Sequence, residues 1–486
     1  MSKTRELLVQ EGLDLFNKND WQRALNCFLD ALKIEEDYPV LFAVSTIYFR
    51  LKDFENSIKY ATRGLLFSKS NVNLKLIRAK SFLELGQVQQ TIDLMLELVE
   101  SGFESDDAHT TLGSAYVRIH CFKLAEKHFE LALKHSTSKP AAMLNLALLY
   151  FDERAANDLK MTYQTSLAKS VQYLNLALKI EPVFHRASYL LGLIQLKLKN
   201  YVDGFKSYQA RYWQSNDSII LRYKNKPILE KIEQAKNACV YVYAEQGLGD
   251  SIQFARFLPE FAKHCKRLIV SLQPPVQEFI CRSIKNIEWI SDANVSGNFD
   301  FQLPLIGIVE LLAVNYSDVA SHALRLDVNA NESICFDSSD RIKIGIAWRG
   351  NPDHQLDHER SISCLEFIES LPTGPLYYVL HVDLKPDEFK ILDSSPHEFI
   401  VQDSLTNHSL AELSVRLKAC DFVLTVDTLI AHLAGTLNVP TRILLGLNSD
   451  WRWSLNEATT PWYSSVQLYR RRVGQSWKEV IAKAVI

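Results

Sequence analysis

The sequence predicts an α plus α/β multidomain protein. An all-helical repeat array spans residues 1–215, and two α/β units follow over 237–326 and 341–486. Three observations predict this. Small residues recur with a period near 34 through the first part. From about residue 237, short β-rich apolar runs alternate with helical stretches. A polar stretch, 327–340, reads as a linker that divides this second part.

In the array, one series of small residues runs Gly12, Ser45, Ala79, Gly113, Ala147 and Gly192, in steps of 33, 34, 34, 34 and 45. A second runs Ala24, Ser57, Thr91, Ala125, Ser170 and Gly204. Three places after the first series stand Leu15, Tyr48, Phe82, Tyr116 and Tyr150, with Gln195 as the exception. Four places after the second stand Phe28, Ala61, Met95, Phe129, Leu174 and Tyr208. Small residues let the two helices of one unit approach closely, and large ones are expected to fill the gap to the next unit. An extra 11 residues fall inside the fifth unit around 152–160, which predicts a longer helix or a protruding loop. The array resembles the tetratricopeptide repeat, a 34-residue helix–turn–helix unit. Such units stack into a superhelix whose concave face binds proteins or peptides. Asn145 and Asn175 lie on these helices, where isolated polar residues are more often simply solvated.

The α/β part reads as strands at 238–244, 268–272, 301–304, 341–348, 376–382, 399–401, 422–426 and 441–445. Helical segments separate them, the alternation expected of parallel sheets covered by helices. Two such units in tandem place a ligand cleft at the C-terminal ends of the strands.

Composition bounds the function. The 486 residues are 47% hydrophobic and 23% charged, the balance of a folded chain with length for more than one core. A formal net charge of −3 gives no reason to expect nucleic acid or an acidic membrane as partner. Eight scattered cysteines without a C-x-x-C pair predict reduced thiols, no structural zinc and a cytoplasmic protein. Charges interrupt the apolar residues of 1–16, unlike a signal peptide, and no apolar run reaches the ~18 residues of a membrane span.

Three motifs sit where strands give way to loops or helices. In the first, Gly247–Asp250, two glycines allow close backbone approach and a helix N-terminus offers free N–H groups. Asp250 there suits a general base, and with Gln253 it also fits a simple capping box. The second is the long polar loop 348–361. Its Arg349 and Arg360 suit bidentate phosphate binding. His354 and His358 are four apart, but Gly350 and Pro352 oppose a helix and no third ligand is evident, so metal is the minority reading. In the third, 425–435, Asp427 and Thr428 open a helix whose dipole favours a diphosphate, or they serve as an N-cap alone. His432 lies one turn in, where a lone histidine is usually a packed residue. Trp451, Trp453 and Trp462 suit either stacking on a base or sugar or burial in the core. The basic triplet 470–472 reads as solvated surface with one arginine near the cleft.

In order along the chain, Ala244–Pro259, Gln273–Pro275, Gly345–Pro352, Arg360–Ile362, Val426–Gly435, Asp450–Trp453 and Pro461–Tyr463 resemble a bacterial family. In it, tetratricopeptide repeats are fused to a heptosyltransferase-like, glycosyltransferase family 9-like domain of the GT-B fold, which is two Rossmann-like α/β domains. The resemblance covers nearly the whole chain. It implies transfer of a sugar from a nucleotide-sugar donor, with inversion, without a bound metal and with no cofactor besides the donor. Asp250 would be the base. Gly247, Gly249, Arg349, Asn351, Arg360, Asp427, Thr428 and His432 would form the donor and phosphate site. Arg360 stands where the family has a lysine, so heptose does not follow as the sugar. The acceptor would be a protein or peptide recruited by the concave face of the array. The alternative is a non-catalytic repeat scaffold carrying a degenerate transferase domain. The base and the donor site would meet when the cleft closes, and the terminal helix, 476–485, would cross back to the first α/β unit.

Overall fold

The first five helix pairs are Ser2–Asn17 with Trp21–Ile34, Tyr38–Arg50 with Phe54–Phe67, Val72–Glu84 with Val88–Glu100, Asp106–Arg118 with Phe122–His135, and Lys139–Phe151 with Tyr163–Ile180. They belong to a computed structural model that describes residues 2–213, 222–223, 225–292, 295, 297–326, 340–354, 357–381, 383–401 and 409–485. The expected linker lies outside the described residues except for its last position.

Local chemistry explains why these helices start and stop. Asp37, Asp53, Asn71, Ser105 and Thr162 each accept a hydrogen bond from the backbone N–H three residues on, satisfying a donor the helix leaves open. The turns within the units pass through left-handed residues at Asn19, Lys52, Gly86 and His120. Only Gly86 adopts that conformation without a side-chain penalty.

The two small-residue series mark where paired helices cross. Ser57 Oγ donates to the Ser45 carbonyl at 2.9 Å, Thr91 Oγ1 to that of Ala79 at 3.1 Å, and Ser170 Oγ to that of Ala147 at 2.7 Å. At Gly12 and Gly113 an aromatic ring takes the space. A Cβ on Gly12 would meet the Phe28 ring at 2.8 Å, and one on Gly113 the Phe129 ring at 2.5 Å. The large residues therefore do more than fill the gap to the next unit. Phe28 covers the glycine of its own unit while also packing with Val40, Leu41 and Val44 of the next. The first unit is thus a tetratricopeptide-like helical solenoid. The 11-residue insertion lengthens the second helix of the unit, Tyr163–Ile180, to 18 residues against 13 or 14 in the units before it, as one of the two expectations had it. It also adds a short helix ahead of that one, Glu153–Asp158, with Ala155 and Ala156 buried. Asp158 accepts from the Lys123 N–H at 3.2 Å and so ties the insertion to the preceding unit.

The fourth unit buries two histidines against each other. Their Nδ1 atoms are 3.1 Å apart, with His109 1% and His128 8% exposed. Burial pushes the His128 imidazole down to about 4 and lowers His109 too. The folded pair stays neutral while an unfolded histidine gains a proton near 6.5. The His128 contribution to stability is therefore full above about 6.5 and is lost as pH falls towards about 4, by about 1.4 kcal/mol per pH unit, and His109 acts in the same direction. Chemical denaturation of the full chain at pH 7 and pH 5 should show a loss, and His128→Gln should make that loss smaller. An equal loss in the variant would refute the assignment.

Packing divides the chain earlier than the repeat pattern does. The compact units are Met1–Phe184 and His185–Ile486. The sixth helix pair, His185–Lys197 with Tyr201–Tyr208, therefore belongs with the α/β part although the repeat pattern runs to 215. Tyr201, Phe205 and Tyr208 share a core cluster with Phe254, Trp451 and Trp462.

The α/β unit holds two sheets. The first contains β1 (Cys239–Tyr243), β2 (Arg267–Ser271), β3 (Glu288–Trp289) and β4 (Phe301–Pro304), all parallel in the order β3-β2-β1-β4. The second contains β5 (Lys343–Ala347), β6 (Leu376–Val379), β7 (Glu398–Ile400), β8 (Phe422–Val426), β9 (Thr441–Leu445), β10 (Thr459–Thr460) and β11 (Tyr463–Arg470). Its order is β10-β11-β9-β8-β5-β6-β7, parallel except for the β10–β11 pair. Residue 382 of the expected strand 376–382 lies outside the described residues.

Alternate residues of the second sheet enter different cores, as a strand period of two requires. Ile344, Ile346 and Leu424 face a cluster that includes Phe367 and Ile481. Ala347, Val423 and Ile443 face the cluster that also contains Val240 and Val242 of the first sheet. The two halves thus share one continuous core. The terminal helix, Trp477–Val485, does not cross back to the first half. Its apolar stripe, Trp477, Val480, Ile481 and Ala484, is used up against the second sheet. Among the described residues no helix is long and apolar enough to cross a membrane.

Candidate functional site

The site lies where β1, β5, β8 and β9 end. A cavity of about 1000 Å³ is lined by all nine residues singled out above: Gly247, Gly249, Asp250, Arg349, Asn351, Arg360, Asp427, Thr428 and His432. They come from three loops far apart in sequence, and parallel β1, β5 and β8 deliver those loops to the C-terminal ends of the sheets.

After β1 the chain turns into the helix Leu248–Phe254. Gly247 is its N-cap and Asp250 its third residue. Asp250 Oδ2 accepts from the Gly247 N–H at 3.0 Å. This corrects the capping-box pairing of Asp250 with Gln253, because Asp250 reaches back rather than forward. Gln253 is fully buried, and its Oε1 accepts from Arg452 Nε at 2.8 Å. Gly249 serves contact between the halves. A Cβ there would lie 2.8 Å from the His432 ring, so the helices Leu248–Phe254 and Leu429–Thr436 meet only because it is glycine.

After β8, Thr428 caps the helix Leu429–Thr436, its Oγ1 accepting from the Ile430 N–H at 3.2 Å. Arg360 Nη1 donates to the Asp427 carbonyl at 3.1 Å and Arg360 Nε to Asp357 Oδ1 at 3.1 Å. A guanidinium thus stands beside a helix N-terminus, an arrangement that suits an anion. Two glycines make room for it. A Cβ on Gly350 would lie 2.5 Å from the Arg360 guanidinium, and one on Gly446 would lie 1.8 Å from the Glu359 carbonyl oxygen.

The carboxylates are crowded. Burial pushes Asp427 up to about 6, and Asp450 adds to this. Burial also raises Asp250, with Arg452 opposing it. Asp450 is raised by burial too, but Arg452 and its hydrogen bonds outweigh that and leave the carboxyl below its usual range. His432 is the packed residue that a lone helical histidine predicts. Its Nδ1 is 2.9 Å from the Tyr463 hydroxyl, its ring stacks on Trp453, and burial pushes it down to about 3. It is neutral at physiological pH and carries no charge to a phosphate.

Several expectations need correction. Arg349 lines the cavity, but its donors are committed. Nε and Nη2 hold Glu388 at 2.8 and 3.0 Å, while Nη1 and Nη2 hold Asp383. It orders the loop and does not present a free fork. Asn351 accepts from the Asp353 N–H at 3.0 Å and shapes the same loop. Trp451, Trp453 and Trp462 are 3%, 0% and 2% exposed, so they are core rather than a stacking platform. His354 lines the cavity and His358 is exposed beside Glu359. Gln355 and Leu356 between them lie outside the described residues. Among the described residues no group of three His, Cys, Asp or Glu is placed to hold a metal. Of the basic triplet, Arg470 approaches the site, donating to Ser449 Oγ at 2.9 Å.

Sequence reasoning missed Arg452, Asp450 and Gly446 as individual site residues, and it missed the wall from the sixth helix pair, where Tyr189, Leu193 and Tyr208 line the cavity. It also missed the bidentate ion pair of Arg211 with Glu245, at 2.8 and 2.9 Å and almost fully buried. Glu245 accepts from the Ile306 N–H as well, so this pair anchors residues 209–213 at the end of β1.

No family model matches the chain, and no curated protein matches it. Solved structures do. The crystal structure of MamA is 20% identical, with a TM-score of 0.28, over 34% of this chain and 91% of that one. A tetratricopeptide repeat protein of Thermus thermophilus is 14% identical, with a TM-score of 0.34, over 40% of this chain and 99% of that one. A tetratricopeptide repeat protein of Parabacteroides merdae is 18% identical, with a TM-score of 0.35, over 45% of this chain and 84% of that one. The character of the array rests on its own helix pairs and crossings.

Proposed function

We propose that the protein is a glycosyltransferase of the GT-B kind, acting on a nucleotide-sugar and on a hydroxyl acceptor, most simply a protein recruited by the repeat array. One observation carries this reading: the residues of three separated motifs line a single cavity at the C-terminal ends of two parallel sheets. Asp250 comes from the first half, and the Thr428-capped helix with Arg360 comes from the second. In the reaction the acceptor oxygen bonds to the anomeric carbon as that carbon's bond to the β-phosphate oxygen breaks. The electron pair stays on the phosphate, where helix N–H groups and Arg360 meet the growing charge. Asp250 takes the acceptor's proton. The halves share one core and Asp250 already contacts Arg452, so the site in this reading is assembled before the donor arrives.

Calorimetry with UDP, ADP, GDP and CMP tests the donor side. One nucleotide should bind, and Arg360→Ala should weaken it at least tenfold. Binding that is unchanged in the variant would remove Arg360 from the site. No binding by any nucleotide would favour the second reading, a repeat scaffold with a degenerate transferase domain. The committed donors of Arg349 are the observation that favours this alternative.

A further inference from the structure

Arg452 reaches across the seam between the two α/β halves. It sits in the turn Trp451–Trp453, and its side chain is 8% exposed. Nη2 donates to Asp250 Oδ1 at 2.5 Å, Nη1 to Asp450 Oδ1 at 2.9 Å and Nε to Gln253 Oε1 at 2.8 Å. The guanidinium carbon Cζ lies 4.4 Å from the Trp451 ring centre and 5.5 Å from that of Phe254. Three acceptors along the edge and two aromatic neighbours leave the fork no other seat. A lysine, with a single rotating head, would not reproduce this geometry.

Asp250 depends on this seat. Its Oδ2 is taken by the Gly247 N–H, and its Oδ1 is aligned by Arg452. The side chain remains 23% exposed and lines the cavity, so lone pairs are left for an incoming hydroxyl. Meanwhile Asp427 and Asp450 crowd the same buried space, and burial and like charge both favour protonation.

We propose that Arg452 is the positioning residue of Asp250, fixing the carboxylate towards the cavity and keeping it anionic among its acidic neighbours. The proposal rests on the transferase reading for its use, since a protonated carboxyl cannot accept the acceptor's proton. Of the groups around Asp250, Arg452 is the cation bonded to it, so its removal leaves burial, Asp450 and Glu245 opposed by the Gly247 N–H alone.

The test needs no donor. The full chain is labelled with carboxyl-¹³C aspartate, and the Asp250 signal is assigned by its loss in Asp250→Asn. Titration then compares wild type, Arg452→Gln and Arg452→Lys. In Arg452→Gln, Asp250 should be a weaker acid by about tenfold or more, and Arg452→Lys should restore part of this. An unchanged Asp250 titration in a folded Arg452→Gln protein would overturn the proposal. Should that variant not fold, Arg452→Lys is compared directly with wild type, where a smaller shift in the same direction is expected and none would overturn it. Loss of the transferase reading, through absent nucleotide binding, would leave this titration standing, so the two failures are distinct.

Discussion

Asp250→Asn should lower sugar transfer by roughly 10²–10⁴-fold, the usual contribution of a general base. The fold should survive. The asparagine oxygen still accepts a hydrogen bond, and Arg452 keeps Asp450 and Gln253 as partners. Nucleotide affinity should stay within a few-fold of wild type, because in the proposed site the phosphates face Arg360 and the helix opened by Thr428. Transfer assays on the nucleotide identified by calorimetry, run beside thermal unfolding, check all three points. A variant with wild-type transfer would remove Asp250 from the chemistry.

The second large effect belongs to a glycine that acts through backbone packing. Gly446 follows β9, and a Cβ there would fall 1.8 Å from the backbone oxygen of Glu359. No flexible side chain stands between them to yield. In Gly446→Ala the short helix Asp357–Arg360 must therefore move, and Arg360 loses its bond to the Asp427 carbonyl. Stability should fall by about 1–3 kcal/mol, the cost of overpacking. Nucleotide affinity should fall roughly tenfold or more, as a charge-assisted hydrogen bond is lost. Arg360→Ala should show the same affinity loss without the same stability loss. If Gly446→Ala binds nucleotide as wild type does, the rigid link from β9 to Arg360 is wrong.

Periodic patterns were legible where one residue dictates one contact. The series from Gly12 to Gly192 marked the helix crossings because a crossing tolerates only a small side chain. Continuous apolar runs such as Phe422–Val426 announced central parallel strands because both faces are buried. The same logic hid β11. In Tyr463–Arg470 buried and exposed positions mix irregularly, and its ends look like an aromatic loop and a basic surface. The terminal helix was visible but its destination was not, since an apolar stripe names no partner. At the site, motifs located Asp250 and Thr428 well because helix termini leave signatures. Arg349 and Arg360 look alike in sequence, and only the positions of Glu388, Asp383 and Asp427 separate a structural fork from a site cation. Gly446 and Arg452 act through residues far away in the chain, and spacing alone cannot register that.

The sixth helix pair also bears on how such a chain can be recombined. Tyr201, Phe205 and Tyr208 are repeat residues by pattern and core residues of the α/β unit by packing. A graft or a protease cut placed where the repeats end would strip three aromatics from beneath Trp451 and Trp462. Exchange of one array for another is free of that penalty only upstream of His185. The last helix pair is thus inseparable from the α/β unit, whereas the first five pairs form a compact unit of their own.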